Sequence, residues 1–149
     1  MGETKYDLEI YDTAGHNMTE LRLLVYPGTA VFLVCYSVAY RKSLETVLNF
    51  HARDISNFMP NTPMILVGNK LDLAVDGGSS YVSVEEAEAV AKKIGATASF
   101  QCSALCEYRG TPSNVGDVFT EAIKTGLIFL IEESEKKDRS QACASCKIV

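Results

Sequence analysis

The sequence has 149 residues, 47% hydrophobic and 22% charged, the make-up of one globular domain with a core and not of a disordered chain. Lys and Arg number 14 against 19 Asp and Glu, a net charge of −5, which argues against the dense positive surface of a general nucleic-acid binder. Five irregularly spaced cysteines point to a reducing compartment and away from a disulfide scaffold.

Leu8 and Ile10 alternate with Asp7, Glu9 and Tyr11, which predicts a strand with one wet face. It runs into the turn Asp12-Thr13-Ala14-Gly15. Residues 30–38 are apolar, β-branched and aromatic, as in a strand buried on both faces. Leu44, Val47, Leu48, His51, Ile55 and Phe58 then recur at helical spacing, and Pro60 and Pro63 close that helix. Met64 to Val67 is a second buried strand, and Gly68-Asn69-Lys70-Leu71-Asp72 is its loop.

Asp76 to Ser80 is a Gly/Ser loop. Ser83 with Glu86 forms a capping box opening a helix with Val84, Ala87, Val90, Ala91 and Ile94 inward and Gly95 at its end. Ala98 to Cys102 is a short strand leading into Ser103-Ala104-Leu105. A last helix starts near Asn114, with Val115, Val118, Phe119, Ala122, Ile123 and Leu127 on its inner face. Residues 1–135 are expected to form the domain and 136–149 a polar, flexible tail. Alternating strands and helices imply an α/β fold, a mostly parallel sheet with helices on both faces. Ligands of such sheets bind beyond the carboxyl ends of strands, so the loops at 12–15, 68–72 and 103–105 are the candidates.

Those loops carry DTAG (Asp12–Gly15), NKLD (Asn69–Asp72) and CSAL (Cys102–Leu105) in that order. Together they resemble the third, fourth and fifth sequence elements of small GTPases of the Ras superfamily. Leu21 to Val38 and Pro60 to Pro63 resemble the Rho branch in particular. The resemblance spans about Tyr6 to Leu130 and implies a P-loop NTPase-like fold that binds GTP or GDP with Mg²⁺.

It also implies residue roles. The Asp72 carboxylate would accept two N–H bonds from the guanine edge, a pair that adenine does not offer. Asn69 would tie the loops together, the Lys70 stem would lie over the nucleotide, and Ser103 would brace the loop from which the Ala104 N–H meets the guanine oxygen. Asp12 would hold Mg²⁺ through water, the Gly15 N–H would meet the γ-phosphate, and Thr13 and Ala14 would belong to the same nucleotide-binding turn. His16 stands where the family carries a water-orienting Gln, which implies slow hydrolysis. Effectors and regulators of the Rho type would read the segment Gly15–Pro27.

Nothing in the 149 residues matches GxxxxGK[ST], the loop that would cradle the phosphates. The family's first strand would lie between the strand before DTAG and the strand at 30–38, so an N-terminally truncated member is expected to have a gap or two unpaired edges in mid-sheet. Three functions stay open: a GTP/GDP switch with slow hydrolysis, a non-enzymatic pseudo-GTPase that sequesters Rho regulators or effectors, and a chain whose upstream part carries the missing loop. Only ten residues, 73–82, stand where Rho members carry a longer insertion.

The sequence closes on Cys146-Lys147-Ile148-Val149, which fits a CaaX box imperfectly because of Lys147 and Val149. Cys143 is placed to take a second acyl chain, and two lipid signals are what stable anchoring needs. An inert tail and a Cys143/Cys146 metal pair are the alternatives. The opening MGETKYDLEI lacks the basic and apolar regions of a signal peptide, and Tyr6 breaks the myristoylation pattern. The longest uncharged apolar run, Ala30 to Tyr36, is too short to cross a bilayer. The expected location is cytoplasmic, at the cytoplasmic face of membranes if the tail is prenylated.

Overall fold

The computed structural model describes residues 6–13, 19–74, 81–105, 113–136 and 145–148. Its elements, in order, are β1 (Asp7–Ile10), α1 (Thr19–Val25), β2 (Phe32–Ser37), α2 (Arg41–Thr46), α3 (Ala52–Phe58), β3 (Met64–Asn69), α4 (Val84–Ile94), β4 (Ala98–Gln101), α5 (Val115–Lys136) and β5 (Ser145–Ile148). A π-helical turn, Val47–His51, joins α2 to α3, and a 3₁₀ turn, Leu71–Ala74, follows β3.

β3 lies between β2 and β4, all three parallel, with Phe32 opposite Met64 and Ile65 opposite Ala98. Alternate β3 side chains serve two cores. Met64 and Leu66 pack with Val34, Tyr36, Leu44, Val47, Ile55, Ala87 and Ala91, under α2, α3 and α4. Ile65 and Val67 pack with Ala30, Val31, Val118 and Ala122, under α5. Helices on both faces explain why the strand reads as an unbroken apolar run. The expected α/β fold is the observed one.

Several local expectations need correction. Leu8 and Ile10 are both exposed, at 42% and 57%, so β1 has no dry face among the described residues. Cys35, expected in the core, is exposed, because β2 borders a cleft there. Phe58 and Val84 are also exposed. The π turn explains the first of these: its extra residue rotates the helix, so Ala52 and Ile55 face the core and Phe58 swings out. Val84 opens the first turn of α4, before the helix reaches the core. α1 was not anticipated by any periodicity.

The Ser83 cap forms, its Oγ accepting from the Glu86 N–H at 3.2 Å. The Glu86 carboxylate, however, pairs with Arg41 instead of returning to the cap. Gly95 ends α4 in the left-handed conformation, φ 71°, where glycine avoids the Cβ clash.

The largest departure is at the carboxyl end. Ser145–Ile148, expected as part of a flexible tail, forms strand β5, parallel to β1 with Asp7 opposite Ser145 and Ile10 opposite Ile148. Ile148 also bridges Val31 in parallel. β1 and β5 thus form a two-stranded sheet beside the three-stranded β2-β3-β4 sheet, joined to it by the single Val31–Ile148 bridge, so the expected mid-sheet gap is only in part filled. No helix among the described residues is long and apolar enough to cross a membrane.

Candidate functional site

Asp12–Thr13 follow β1 of the two-stranded sheet, whereas β3 and β4, being parallel, deliver Asn69–Asp72 and Cys102–Ala104 to one edge of the three-stranded sheet. The two latter loops are tied by backbone. The Cys102 N–H donates to the Gly68 carbonyl at 2.8 Å, extending the β3–β4 ladder by one rung, and the Leu71 N–H donates to the Cys102 carbonyl at 3.1 Å. The Cys102 thiol donates to the Asn69 side-chain oxygen at 3.4 Å. Burial pushes the Cys102 thiol pKa up, so it stays a neutral donor at physiological pH.

Asp72 sits half-buried in the 3₁₀ turn, and the Ser103 hydroxyl donates to its Oδ1. Ser103 is 1% exposed, and its oxygen also accepts from the Leu105 N–H at 3.1 Å. One hydroxyl thus fixes both the carboxylate and the turn that follows. Ala104 is exposed beside it. A carboxylate held by one hydroxyl, with no second side-chain partner among the described residues, can take a pair of N–H donors from a planar ligand edge.

Two backbone features set this loop. Lys70 takes a positive φ of 63°, a sparsely populated conformation for a residue with a Cβ, and its side chain is exposed. Gly68 permits the close passage of β3 over Tyr36. A Cβ there would lie 2.6 Å from the Tyr36 hydroxyl oxygen and 2.9 Å from Val38 Cγ1, below van der Waals contact.

Ser113 and Asn114 are supports that sequence reasoning missed. The Ser103 N–H donates to the Ser113 carbonyl, and the Ser113 hydroxyl donates to the Ser103 carbonyl, both at 3.0 Å. Asn114 takes φ 53° and donates from Nδ2 to the Gln101 carbonyl at 3.4 Å. The one local signal was an Asn directly before a helix, where left-handed φ is tolerated.

On the other side of the edge, Asp12 is exposed and Thr13 half-buried. Both line a cleft of about 410 Å³ with Ile10, Cys35, His51 and Ile148. The Cys35 thiol is pushed up by burial within that cleft, is drawn down by hydrogen bonding toward Asn69, and is raised further by Cys102 and Asp12. His51, on the stripe that the helical spacing predicts, is half-buried. Ala14, Gly15, His16 and Cys143 lie outside the described residues; Cys146 is placed by its backbone in β5. Of the segment Gly15–Pro27, α1 carries Leu24 outward, 75% exposed.

Residues 1–127 match the sequence profile of the Ras family. The chain is 35% identical over 145 residues to the Ras-like GTP-binding protein RhoL of Drosophila melanogaster, covering 97% of this chain and 70% of that protein. It is 40% identical over 123 residues to the GTP-binding protein RHO4 of Saccharomyces cerevisiae, covering 81% of this chain and 40% of that protein. With the GTP-binding protein Rho1 of Kluyveromyces lactis it shares 33% identity over 155 aligned positions, 97% of this chain and 72% of that protein. Ordered loops, parallel sheet and relatives agree: the chain belongs to the Ras family, and within it to the Rho-like small GTP-binding proteins.

Proposed function

We propose that this chain is a Rho-like GTP/GDP signalling switch whose base pocket is formed by Asn69, Lys70, Asp72, Ser103 and Ala104. The observation that carries the reading is the Ser103 hydroxyl holding the Asp72 carboxylate. An ionised acceptor contributes roughly 1.5–3 kcal/mol per hydrogen bond, so two bonds to a guanine edge decide base choice. Lys70 supplies an aliphatic stem beside that edge, and Asn69 couples the loop to Cys102.

On the phosphate side, Asp12 and Thr13 stand at the end of β1, with Ala14, Gly15 and His16 following in sequence. Among the described residues there is no cluster of three or more His, Cys, Asp or Glu. By the family resemblance, Asp12 would hold Mg²⁺ through water, and the ion would supply charge neutralisation of the phosphates. His16 in place of the family's Gln supports slow hydrolysis. Rho-type effectors and regulators would engage Gly15–Pro27, where Leu24 offers an apolar contact. The tail cysteines Cys146 and Cys143 are the lipid attachment points for the cytoplasmic face of membranes.

A second reading rests on β5. It pairs with β1 in the place where the family's first strand belongs, and this supports a non-enzymatic chain that keeps a Rho-like surface and sequesters regulators or effectors. Titration of the full chain with a fluorescent GDP analogue and Mg²⁺ separates the two. The switch reading expects saturable binding that excess GTP competes and excess ATP does not. Absence of saturation up to millimolar nucleotide would overturn it in favour of the second.

A further inference from the structure

We infer that the slot between β1 and β2 is a docking site for an extended chain segment, that its occupant is the chain's own Ser145–Ile148, and that docking withholds Cys146 from lipid transfer. The last part rests on the reading of Cys146 as a lipidation site.

The slot has the chemistry of a strand acceptor. β1 pairs with β5 over four residues, Asp7 to Ile10 against Ser145 to Ile148. The Tyr11 N–H then donates to the Ile148 carbonyl at 3.0 Å, closing the ladder. From the other side Val31 bridges Ile148 in parallel. The Ile148 residue is 1% exposed and joins Ala30, Val31, Ile65, Val67 and Val118 in the core under α5. Main-chain pairing on one flank with an apolar side chain in a core pocket is how an added strand binds a sheet.

The slot is only part filled. Beyond the Val31–Ile148 bridge, Phe32 to Cys35 of β2 border the cleft of about 410 Å³, and no strand among the described residues pairs with them on that side. A short ladder of this kind opens far more readily than the paired interior of β3, since local opening follows the number of contacts broken. The tail is thus a detachable occupant.

The consequence falls on Cys146. Prenyl transfer joins the Cys146 sulfur to the first carbon of an isoprenyl diphosphate. That carbon's bond to oxygen breaks, diphosphate leaves with the electron pair, and the thiol proton passes to solvent. An enzyme that reads the last four residues needs them drawn out and unpaired. In β5 the backbone at Cys146 is opposite Leu8 and that at Lys147 opposite Glu9. Docked and modified states therefore exclude one another.

The test uses the full chain and a synthetic peptide of residues 136–149. Hydrogen exchange is read at the amides of 145–148, and a purified prenyltransferase with isoprenyl diphosphate is run on both substrates. The inference expects protected tail amides and a folded chain modified at least tenfold more slowly than the peptide. Tyr11→Pro, which removes the N–H donating to Ile148 without altering the tail, should lower the protection and raise the rate severalfold. If that variant does not fold, the native chain and peptide still decide. Unprotected amides overturn the docking. Protected amides with equal rates overturn the withholding. A peptide that the transferase refuses overturns the lipid reading, and the exchange data then judge docking alone.

Discussion

Replacing Ser103 with Ala removes one oxygen that does two things. It donates to the Asp72 carboxylate, a charge-assisted bond of roughly 1.5–3 kcal/mol, and accepts from the Leu105 N–H, a neutral bond of roughly 0.5–1.5 kcal/mol. Ser103 is fully buried, but Asp72 is half-buried and Leu105 exposed, so water recovers part of each loss. Weighting both toward their lower ends gives a destabilisation of about 2 kcal/mol. Urea unfolding followed by circular dichroism measures it. With a slope of about 1–3 kcal/mol/M for a domain of this size, the midpoint should fall by roughly 1 M with the slope unchanged. A fall below about 0.3 M at constant slope would refute the claim that this hydroxyl joins the two loops.

Gly68→Ala places a Cβ against the Tyr36 hydroxyl and Val38. It should cost about 1–3 kcal/mol by overpacking, read in the same urea assay, whereas an unchanged midpoint would show that β3 can move away from Tyr36. Asp54→Ala leaves the buried Arg22 guanidinium without its 3.0 Å carboxylate; since Asp54 is partly exposed, the loss should be about 2 kcal/mol, below that of a fully buried pair. Burial raises the acid groups Tyr26, Tyr36 and Cys102 above their ordinary values. The folded state then holds protons that the unfolded state releases, so stability is full below about pH 8.5 and declines as pH rises beyond it. The unfolding midpoint should be lower at pH 9.5 than at pH 7.5, and a rise would contradict the burial of these groups.

What could be read from the chain was whatever its local pattern encodes. The apolar run Met64–Val67 and the Ser83/Glu86 cap became β3 and the start of α4, since burial on both faces and capping both leave local signatures. That Asn69–Asp72 and Cys102–Leu105 lie side by side was legible because each follows a buried strand of a parallel sheet; their role toward a ligand rests on the resemblance. What was missed depended on distant partners. Residues 145–148 offer one strongly apolar side chain and no alternation long enough to specify a strand; β1 and Val31 supply the pairing. Ser113 and Asn114 gain their role only when α5 brings them back beside Ser103. Phe58 faced out because a π turn inserted one residue that no helical period anticipates.

The central claim is that a single carboxylate reads the base, and Asp72→Asn tests it most directly. An amide presents one acceptor and one donor where the carboxylate presented only acceptors, so it should reject guanine and match xanthine, whose edge bears an oxygen in place of the amino group. Competition of GDP and xanthosine diphosphate against a fluorescent nucleotide should show the preference reversed, by at least tenfold in each direction. An unchanged preference for guanine in a folded Asp72→Asn protein would contradict the assignment.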